Sequence, residues 1–451
     1  MNQYSRYQEI GLPWLQKIPA HWEIRRNKNV FIEQKEEVGE NSSAYTLLSL
    51  TLRGIIPRDM DGGGKFPSSF DKYKVIKKGY MAFCLFDIDE TPRTVGLSEY
   101  DGMLTGAYTI MRVDNINPRF IYYYYLMLDN GKMLRPLYSG LRKTININTF
   151  LGTKIPVPPR DEQDQIVRFL DWKVSEINKL INFKHREIKN IDALKRSLVS
   201  HVVTRGLVPD VALKDSGVKW LGDIPAHWNT IKLRQILHPV SVKNHPELPL
   251  LSVVRERGVI IRDVDDKEAN HNYVPDDLSG YKMVKKGQFA MNKMKAWQGS
   301  YGVSDYTGIV SPAYFIFDID FDNLKYFHYA IRSKVYVNFF AQASDGIRVG
   351  QWDLQMDKMK EIPFIVPPAD EQIQIVEYIE SALPKYDDAI CVLREEIRGL
   401  EELKTKLISD VVTGKIDVRD VVIPDYEYVD EEIDTAETDD SEENTEEQEE
   451  E

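Results

Sequence analysis

The sequence predicts an α+β protein in which two similar mixed domains are separated by two long helices, giving an internal pseudo-two-fold repeat. One unit of about 200 residues is written twice, each copy opens with short strand-like segments, and each copy closes with a helical heptad pattern. The predicted domains span residues 1–160 and 207–369. The predicted helices span residues 161–206 and 370–417, and an acidic segment expected to be disordered spans residues 418–451.

The repeat is carried by several short motifs in the same order. Ile-Pro-Ala-His-Trp of residues 18–22 returns unchanged at residues 224–228, an offset of 206. Pro-Pro-x-Asp-Glu-Gln of residues 158–163 returns at residues 367–372, where the offset is 209. The small drift indicates short loop insertions. Duplication alone is also compatible with a purely structural purpose.

The first part of each copy predicts a compact α+β domain. Residues 80–86, 108–113 and 313–317 are rich in β-branched and aromatic residues, which is typical of short strands. Residues 118–130 and 321–340 are expected to be helical.

The second part of each copy predicts a long helix. Asp161 and Asp370 follow the proline pairs and are predicted N-caps, with Glu162 and Glu371 in the first turn, where the helix dipole favours acidic groups. We expect Pro384 to break the second helix away from a short leading segment.

Both helices carry an apolar seam with spacings of three and four residues, which is typical of a coiled coil. Lysine occupies a matching seam position in each copy, at Lys195 and Lys404. Neither seam can be buried alone, and a domain separates the two helices in sequence, so we expect them to pack antiparallel. Residues 174–204 as a helix would span ~45 Å at ~1.5 Å per residue. This is the scale of the ~34–36 Å between half-sites one turn of DNA apart, so the helices are a candidate spacer between two DNA-reading domains.

The net charge of −13 hides a basic body behind an acidic C-terminus. Residues 425–451 hold 16 of the 71 acidic residues and no lysine or arginine, which leaves 55 acidic against 58 basic residues elsewhere. No apolar stretch approaches the roughly 20 residues of a membrane span, and residues 1–10 lack a signal-peptide core. The two cysteines, Cys84 and Cys391, predict no disulfide framework or cysteine zinc site and fit a cytoplasmic protein.

Together these motifs resemble the specificity subunits of type I restriction–modification enzymes, over nearly the whole chain. The resemblance is carried by Lys-Asp-Ser-Gly at residues 214–217, Trp-Leu-Gly at 220–222, the motif at 224–228, the Pro-Pro-x-Asp-Glu-Gln pair, and Val-Val-Thr-Gly at 411–414. Trp-Gln-Gly at 297–299 followed by Ser-Pro-Ala-Tyr at 311–314 adds to it.

The resemblance implies two target recognition domains that each read half of a bipartite double-stranded DNA site. It implies antiparallel helices that set the gap and dock two modification (methyltransferase) subunits, which a motor–nuclease restriction subunit joins. The chain itself would be non-catalytic and carry no cofactor, with S-adenosylmethionine, ATP and Mg²⁺ on the partner subunits. In the first copy Thr-Gly-Ala at residues 105–107 replaces Ser-Pro-Ala and Trp-Gln-Gly is missing, so we expect an asymmetric site.

Base edges are usually read by arginine, lysine, asparagine or glutamine, while phosphate contacts give affinity. We assign residues shared between the copies to phosphate and unshared residues, such as Arg93, Lys293, Lys295 and Gln298, to bases. For any single one of these residues a solvated surface charge is the favoured interpretation, whereas the set as a whole favours DNA contact. The candidates in the first domain are Arg53, Arg58, Lys65, Lys72, Lys74, Lys77, Lys78, Arg93, Arg142 and Lys143. The candidates in the second domain are Arg255, Arg257, Arg262, Lys282, Lys285, Lys286, Lys293, Lys295, Gln298 and Arg348.

The motifs that would indicate an enzyme are present only in part in this sequence. Residues 117–120 read Asn-Pro-Arg-Phe, in which arginine interrupts the Asn-Pro-Pro-Phe pattern of an amino-methyltransferase. Residues 61–65 are glycine-rich before a lysine but lack the earlier glycine and the following serine or threonine of a P-loop. Asp87, Asp89 and Glu90 could hold Mg²⁺ in a nuclease, but a polar loop is the favoured interpretation. His21 and Trp22, with His227 and Trp228, are interpreted as packing anchors.

Two other interpretations remain open: the specificity part of a type II-like system, and an assembly scaffold that binds no DNA. For the acidic segment we weigh a solubilising tail against one that lies in the basic DNA groove of the free subunit and suppresses non-specific binding.

Overall fold

The computed structural model describes residues 2–58, 67, 69–138, 143–218, 221–262, 275, 277–346 and 352–432. Within these residues the chain forms two compact units. Unit 1 comprises residues 2–185 and 394–432, and unit 2 comprises residues 186–393.

Unit 1 begins with short strands and ends with the first long helix. Its strands are β1 (Tyr7–Leu12), β2 (Leu15–Pro19), β3 (Glu23–Arg26), β4 (Phe31–Gln34), β5 (Leu48–Thr51), β6 (Gly54–Pro57), β7 (Lys74–Ile76), β8 (Tyr80–Phe83), β9 (Val95–Leu97), β10 (Gly102–Leu104), β11 (Thr109–Val113) and β12 (Lys154–Val157). Its helices are α1 (Pro118–Asn130), α2 (Ile147–Gly152) and the start of α3 (Arg160–Arg205).

The central sheet of unit 1 is antiparallel in the order β4-β11-β8-β9. Helix α1 packs its aromatic face into the core, where Phe83, Tyr125 and Phe150 have ring centroids 4.9–5.6 Å apart. Asn117 caps this helix by accepting from the backbone N–H groups of Arg119 and Phe120, with Pro118 in the first turn. The sequence Asn-Pro-Arg-Phe is therefore a helix start.

Unit 2 repeats this succession. Its strands are β13 (Leu213–Asp215), β14 (Asp223–Pro225), β15 (Asn229–Lys232), β16 (Leu237–Val240), β17 (Leu251–Val254), β18 (Gly258–Ile261), β19 (Lys282–Val284), β20 (Phe289–Asn292), β21 (Tyr301–Val303), β22 (Gly308–Val310), β23 (Tyr314–Ile319), β24 (Ser344–Asp345), β25 (Asp353–Leu354) and β26 (Pro363–Val366). Its helices are α4 (Leu324–Ile331), α5 (Lys334–Gln342), α6 (Met356–Lys360) and the start of α7 (Ala369–Val412).

The strand pairing of unit 1 recurs in unit 2. The central sheet has the order β16-β23-β20-β21, and the pairs β3–β12, β5–β6 and β7–β10 have the counterparts β15–β26, β17–β18 and β19–β22. The single helix expected over residues 321–340 is instead split into α4 and α5. Ser333 adopts an extended conformation between them, which breaks the helical hydrogen-bond ladder.

The two long helices begin one residue earlier than predicted. Asp161 and Asp370 therefore lie inside the first turn and are not N-caps. At the other end, α7 stops at Val412 and not at residue 417. Gly414 has a φ of 71°, and the N–H of Lys415 donates to the carbonyl of Asp410 (2.8 Å), so the Val-Val-Thr-Gly motif is a C-terminal cap.

The predicted break at Pro384 is wrong, because α7 is continuous through it. Proline removes one N–H and so leaves the carbonyl of Glu380 without its helical donor. Glu380 and Pro384 are both exposed, so water can satisfy that carbonyl.

Within unit 1, α3 and α7 run antiparallel. Lys184 of α3 pairs with Glu396 of α7 (Nζ–Oε2 2.6 Å), and Asn178 contacts Lys404 (3.4 Å), so numbers rise along one helix as they fall along the other. Within unit 2, Lys195 forms an ion pair with Asp387. Both seam lysines are thus matched by a polar group on the opposite helix. Among the described helices, none is long and apolar enough for a bilayer crossing.

The expectation of disorder over residues 418–451 is wrong for residues 418–432. This segment lies along α3 in unit 1: Gln165 donates to the carbonyls of Val418 (3.0 Å) and Val421 (2.8 Å), and Ser175 donates to the carbonyl of Glu427 (3.1 Å). The sequence pattern missed this because the contacts are made through the backbone, which composition does not reveal. Residues 433–451 lie outside the described residues.

The repeated motifs meet at the start of each long helix. Glu162 is only 5% exposed and accepts from Trp22 Nε1 (2.9 Å), from Tyr4 Oη (2.5 Å) and from the His21 ring (2.7 Å). In unit 2, Glu371 accepts in the same way from Trp228 (2.9 Å) and the His227 ring (2.6 Å).

The glutamine of each motif donates to a proline carbonyl, Gln163 to Pro158 (2.8 Å) and Gln372 to Pro367 (2.9 Å). The tryptophan and histidine residues are therefore packing anchors, as the sequence analysis favoured.

Glu162→Ala is expected to lower the free energy of unfolding by about 3 kcal/mol, because it leaves buried indole and phenol donors without an acceptor. Glu371→Ala is expected to lower it by about 1 kcal/mol, since Glu371 is 31% exposed and water can replace it. Urea unfolding of both variants measures this difference. Equal losses would contradict the unequal burial of the two carboxylates.

Candidate nucleic-acid interface

The predicted DNA-binding residues fall into groups that differ in solvent exposure. Those exposed to solvent are Arg53, Arg58, Lys72, Lys77, Lys78, Lys143, Arg255, Arg257, Lys285 and Lys286. Those half-buried are Lys74, Arg262, Lys282, Lys293, Lys295 and Gln298, and Arg93 is 15% exposed at its side chain. Lys65, Arg142 and Arg348 lie outside the described residues.

The Lys-Lys-Gly motif forms the turn between β7 and β8 and again between β19 and β20. Gly79 and Gly287 have φ values of 82° and 88°, a conformation that favours glycine and explains why it recurs. The turns put Lys77 and Lys78, and Lys285 and Lys286, at the surface. Lys78 is partly engaged by Glu99 (3.3 Å), in a solvated pair of small energetic value.

The β-hairpin tips carry the exposed arginines. Arg53 lies in the β5–β6 tip, and Arg255 and Arg257 lie in the equivalent β17–β18 tip. The hairpin ends match as well, since the N–H groups of Arg58 and Arg262 donate to the carbonyls of Leu47 and Leu250, both at 2.9 Å. Equivalent hairpins in the two units thus present arginines in different number and position.

The tip of unit 2 is held by a residue that the sequence analysis missed. The guanidinium of Arg332 on the α4–α5 turn donates to the carbonyls of Arg255 (2.8 Å) and Glu256 (2.9 Å), and also to Tyr301. Nearby, burial lowers the pKa of His328 to about 4, so it is neutral near pH 7 and accepts the N–H of Val303. Only the three-dimensional fold brings Arg332 to this loop, and no sequence pattern marked it.

Two shared lysines are turned into their own domains. Lys74 Nζ donates to the carbonyl of Tyr108 (2.7 Å), and Lys282 Nζ donates to the carbonyl of Tyr314 (2.6 Å). Burial lowers the pKa of both ammonium groups. This placement favours structural roles over the predicted phosphate contacts.

Arg93 is also engaged within its domain. Its guanidinium pairs with Asp129 (3.0 Å), which is 2% exposed, and contacts Asn130 (2.9 Å). Asp129 also accepts from the N–H and hydroxyl of Thr94 and from Lys132. The prediction that Arg93 reads a base is therefore disfavoured, because leaving this pair would take one of two cations from a buried carboxylate.

The Trp-Gln-Gly motif builds a second surface feature of unit 2. Trp297 and Trp352 have ring centroids 5.1 Å apart, and Gln298 precedes Gly299, whose φ is 100°. Lys293 pairs with Asp353 (3.0 Å), and Lys295 is engaged in contacts. The three predicted base readers Lys293, Lys295 and Gln298 thus lie in one short segment.

The acidic loop considered for Mg²⁺ is paired with cations. Asp89 accepts from Arg135 (2.5 Å), and Glu90 pairs with Lys143 (3.2 Å). Among the described residues, no group of three metal-ligating side chains is found.

A family model described as the type I restriction modification DNA specificity domain matches residues 96–190, from β9 into α3. The MjaVIII type I restriction enzyme specificity subunit of Methanocaldococcus jannaschii is 24% identical, and the match covers 60% of this chain and 64% of that relative. A protein of the same organism, provisionally named the MjaX specificity subunit, is 22% identical over 91% of this chain and 96% of its own length.

By these matches the chain is similar to type I restriction–modification specificity subunits. A solved structure concerned with assembly and conformational transition of the type I restriction–modification system supports the fold, with a TM-score of 0.56, 15% identity, and coverage of 88% of this chain and 99% of the other. The family match begins in the central sheet of unit 1 and includes Glu162, whose carboxylate binds Trp22 and His21. We call Glu162, and Glu371 in unit 2, the glutamate anchor, because each attaches a domain to the start of its long helix.

Arg93→Ala is expected to lower the free energy of unfolding by about 2–3 kcal/mol, because the buried Asp129 loses one of its two cations. Arg53→Ala is the matched control, with an expected change within about 0.5 kcal/mol for an exposed residue. Thermal unfolding measures both. An Arg93→Ala chain of unchanged stability that lost preference at one base pair would restore the original base-reading assignment.

Arg332→Met is expected to lower affinity for the preferred DNA roughly tenfold, a loss of about 1.4 kcal/mol, by releasing the β17–β18 tip. Affinity for random DNA should change less than about twofold, since non-specific binding depends on phosphate contacts. Arg234→Met, an exposed arginine paired with Glu361, is the control. A uniform loss on all sequences would argue against a positioning role.

Proposed function

We propose that the chain is the DNA-specificity subunit of a type I restriction–modification complex and that each domain reads one half of an asymmetric bipartite site. One observation carries this proposal. The strand pairing of unit 1 recurs in unit 2, while the tips of the equivalent β-hairpins carry different residues. Arg53 stands alone at its tip, whereas Arg255 and Arg257 share the equivalent tip.

The exposed and half-buried candidates divide into two proposed roles. Lys77, Lys78, Lys285 and Lys286 are shared between the units, so we assign them to phosphate. The residues that differ between the units are assigned to base edges, which carry sequence information. These are Arg53, Arg255, Arg257, Lys293, Lys295 and Gln298.

The long helices are the proposed spacer. Helix α3 has 46 residues, which corresponds to about 69 Å of helix. We propose that α3 and α7 form an antiparallel coiled coil along their length, supported by the pairing of Lys184 with Glu396 and of Lys195 with Asp387.

The paired helices also leave large apolar side chains exposed. Leu180, Phe183 and Leu403 in unit 1, and Leu194 and Val392 in unit 2, are 51–58% exposed. We propose that they dock modification subunits, since an exposed apolar stripe on a helix is typical of a surface for a partner helix. In this proposal the chain performs no catalysis, and S-adenosylmethionine, ATP and Mg²⁺ act on the methyltransferase and motor–nuclease partners.

Co-expression with its modification subunit, followed by methylome sequencing of the host, tests the proposal. The expected result is one asymmetric split motif with a modified base in each half. A scaffold that binds no DNA would give no sequence-dependent methylation, and an unsplit motif would contradict the spacer.

Lys286→Ala is expected to weaken binding to all DNA sequences and to reduce the slope of log K against log [salt] by about one, because one phosphate contact is lost. Lys325→Ala, an exposed lysine outside the predicted set, should leave the slope unchanged. Fluorescence anisotropy over a salt series measures both. If the slope of log K against log [salt] were equal in the two variants, Lys286 would not be a phosphate contact.

A further inference from the structure

Three buried polar side chains form a row beside the apolar seam of α3 within unit 1. Ser175, Asn178 and Asn182 are 0%, 4% and 1% exposed. Their spacing of three and four residues places them on one face of the helix. The corresponding positions of α7, at an offset of 209, are Pro384, Asp387 and Cys391, so the feature belongs to one copy only.

These side chains bind the backbone of residues 427–432. Ser175 donates to the carbonyl of Glu427 (3.1 Å) and accepts the N–H of Val429 (2.9 Å). Asn178 donates to the carbonyl of Val429 (3.1 Å). Asn182 donates to the carbonyl of Asp430 (2.9 Å) and accepts the N–H of Glu432 (2.8 Å). Because Ser175 and Asn182 each donate and accept, they match the alternating groups of an extended peptide.

Two cations add side-chain recognition to these backbone contacts. The guanidinium of Arg119 lies 5.3 Å from the ring centre of Tyr428 and is held in place by Asp171 (2.6 Å). Lys404 of α7 forms an ion pair with Glu431. The segment is therefore recognised as an extended backbone that carries an aromatic residue followed, three positions later, by an acidic one.

The hydrogen bonds between α3 and residues 427–432 are weak enough for this segment to be replaced by another peptide. Hydrogen bonds between a peptide and polar side chains replace bonds to water, so each contributes modestly, and ordering the segment opposes them. Because the face of α3 is polar, water can hydrate it when the segment leaves. An apolar face would not tolerate this.

We propose that Ser175, Asn178 and Asn182, with Arg119 and Lys404, form a binding site for an extended acidic peptide, and that residues 424–432 are its tethered, exchangeable occupant. We name these five residues the α3 slot and the occupant the C-terminal strap. Tethering gives the strap a high effective concentration, so a free peptide binds well only when the strap is weakened. The site goes beyond DNA recognition and would admit an acidic segment of a partner protein once the strap is released.

The test uses a fluorescein-labelled peptide of residues 424–432 and the full-length chain. Tyr428→Ala with Val429→Pro weakens the strap in cis, since it removes the ring on Arg119 and the N–H donated to Ser175, and leaves the slot intact. By anisotropy, the peptide is expected to bind this chain one-to-one and at least tenfold more tightly than the wild-type chain. Adding Asn182→Ala should weaken binding at least tenfold, while adding Lys173→Ala, on the opposite face of α3, should not.

Absence of binding to the strap-weakened chain, equal binding to the wild-type chain, or binding that survives Asn182→Ala would each overturn the proposal. A peptide with Glu431→Lys should bind more weakly, because Lys404 would meet a like charge. Hydrogen exchange gives an independent check: the amide of Glu432 should exchange at least tenfold faster in a chain carrying only Asn182→Ala than in the wild type, and equal rates would overturn the strap. None of these measurements uses DNA, so their failure is distinct from failure of the proposed function.

Discussion

The glutamate anchor at the start of each long helix determines how each domain is attached. Glu162 and Glu371 lie in a first turn, where unpaired N–H groups and the helix dipole favour a negative charge. Each accepts hydrogen bonds from the tryptophan and histidine of its own domain. Since a long helix is stiff, fixing its first turn against the domain also fixes the direction in which the helix leaves that domain.

The same anchor is more elaborate in unit 1. Tyr4 donates to Glu162, and Arg419 lies 5.0 Å from the ring centre of Tyr4. The buried carboxylate of Glu162 is thus bound directly by Tyr4, near the beginning of the chain, and Arg419, beyond the end of α7, packs on the ring of Tyr4. This explains why Ile-Pro-Ala-His-Trp and Pro-Pro-x-Asp-Glu-Gln recur together in sequence: neither motif is satisfied without the other.

Equivalent hairpins can diverge because strand pairing is carried by the backbone. The β5–β6 tip is stabilised locally, with the Thr51 hydroxyl donating to the carbonyl of Gly54 (3.1 Å). The β17–β18 tip relies on Arg332, which is distant in sequence. Each hairpin tip is thus held through backbone carbonyl groups, by Thr51 in one unit and by Arg332 in the other. The outward side chains of the tips can therefore differ between the units, as two domains that read different DNA sequences require.

The sequence predicted what depends on local patterns. The bounds of α1 and the starts of α3 and α7 to within one residue follow from periodicity and from the prolines that precede or open each helix. It did not predict which cations are available, because that depends on tertiary neighbours. The sequence patterns around Arg93 and Lys286 do not tell which side chain is exposed, yet one pairs with a buried aspartate and the other is exposed at a turn. Composition likewise predicted disorder for residues 418–432, whose partners are polar side chains on a helix 250 positions away.

The acidic residues 425–432 and the exposed cations of the two domains have different contacts in the structure. An excess of acidic residues beside a DNA-binding surface suggests competition for that surface, and this was the sharper hypothesis for residues 425–451. In the structure Glu431 is matched by Lys404 on α7, and Tyr428 by Arg119, both at the helix pair. The cations at the hairpin tips and Lys-Lys-Gly turns are not the partners of these residues. Residues 425–432 can thus remain on α3 without occupying the cations of the hairpin tips and Lys-Lys-Gly turns. The acidic charge of this segment therefore acts first on the surface of the helix pair, through Lys404.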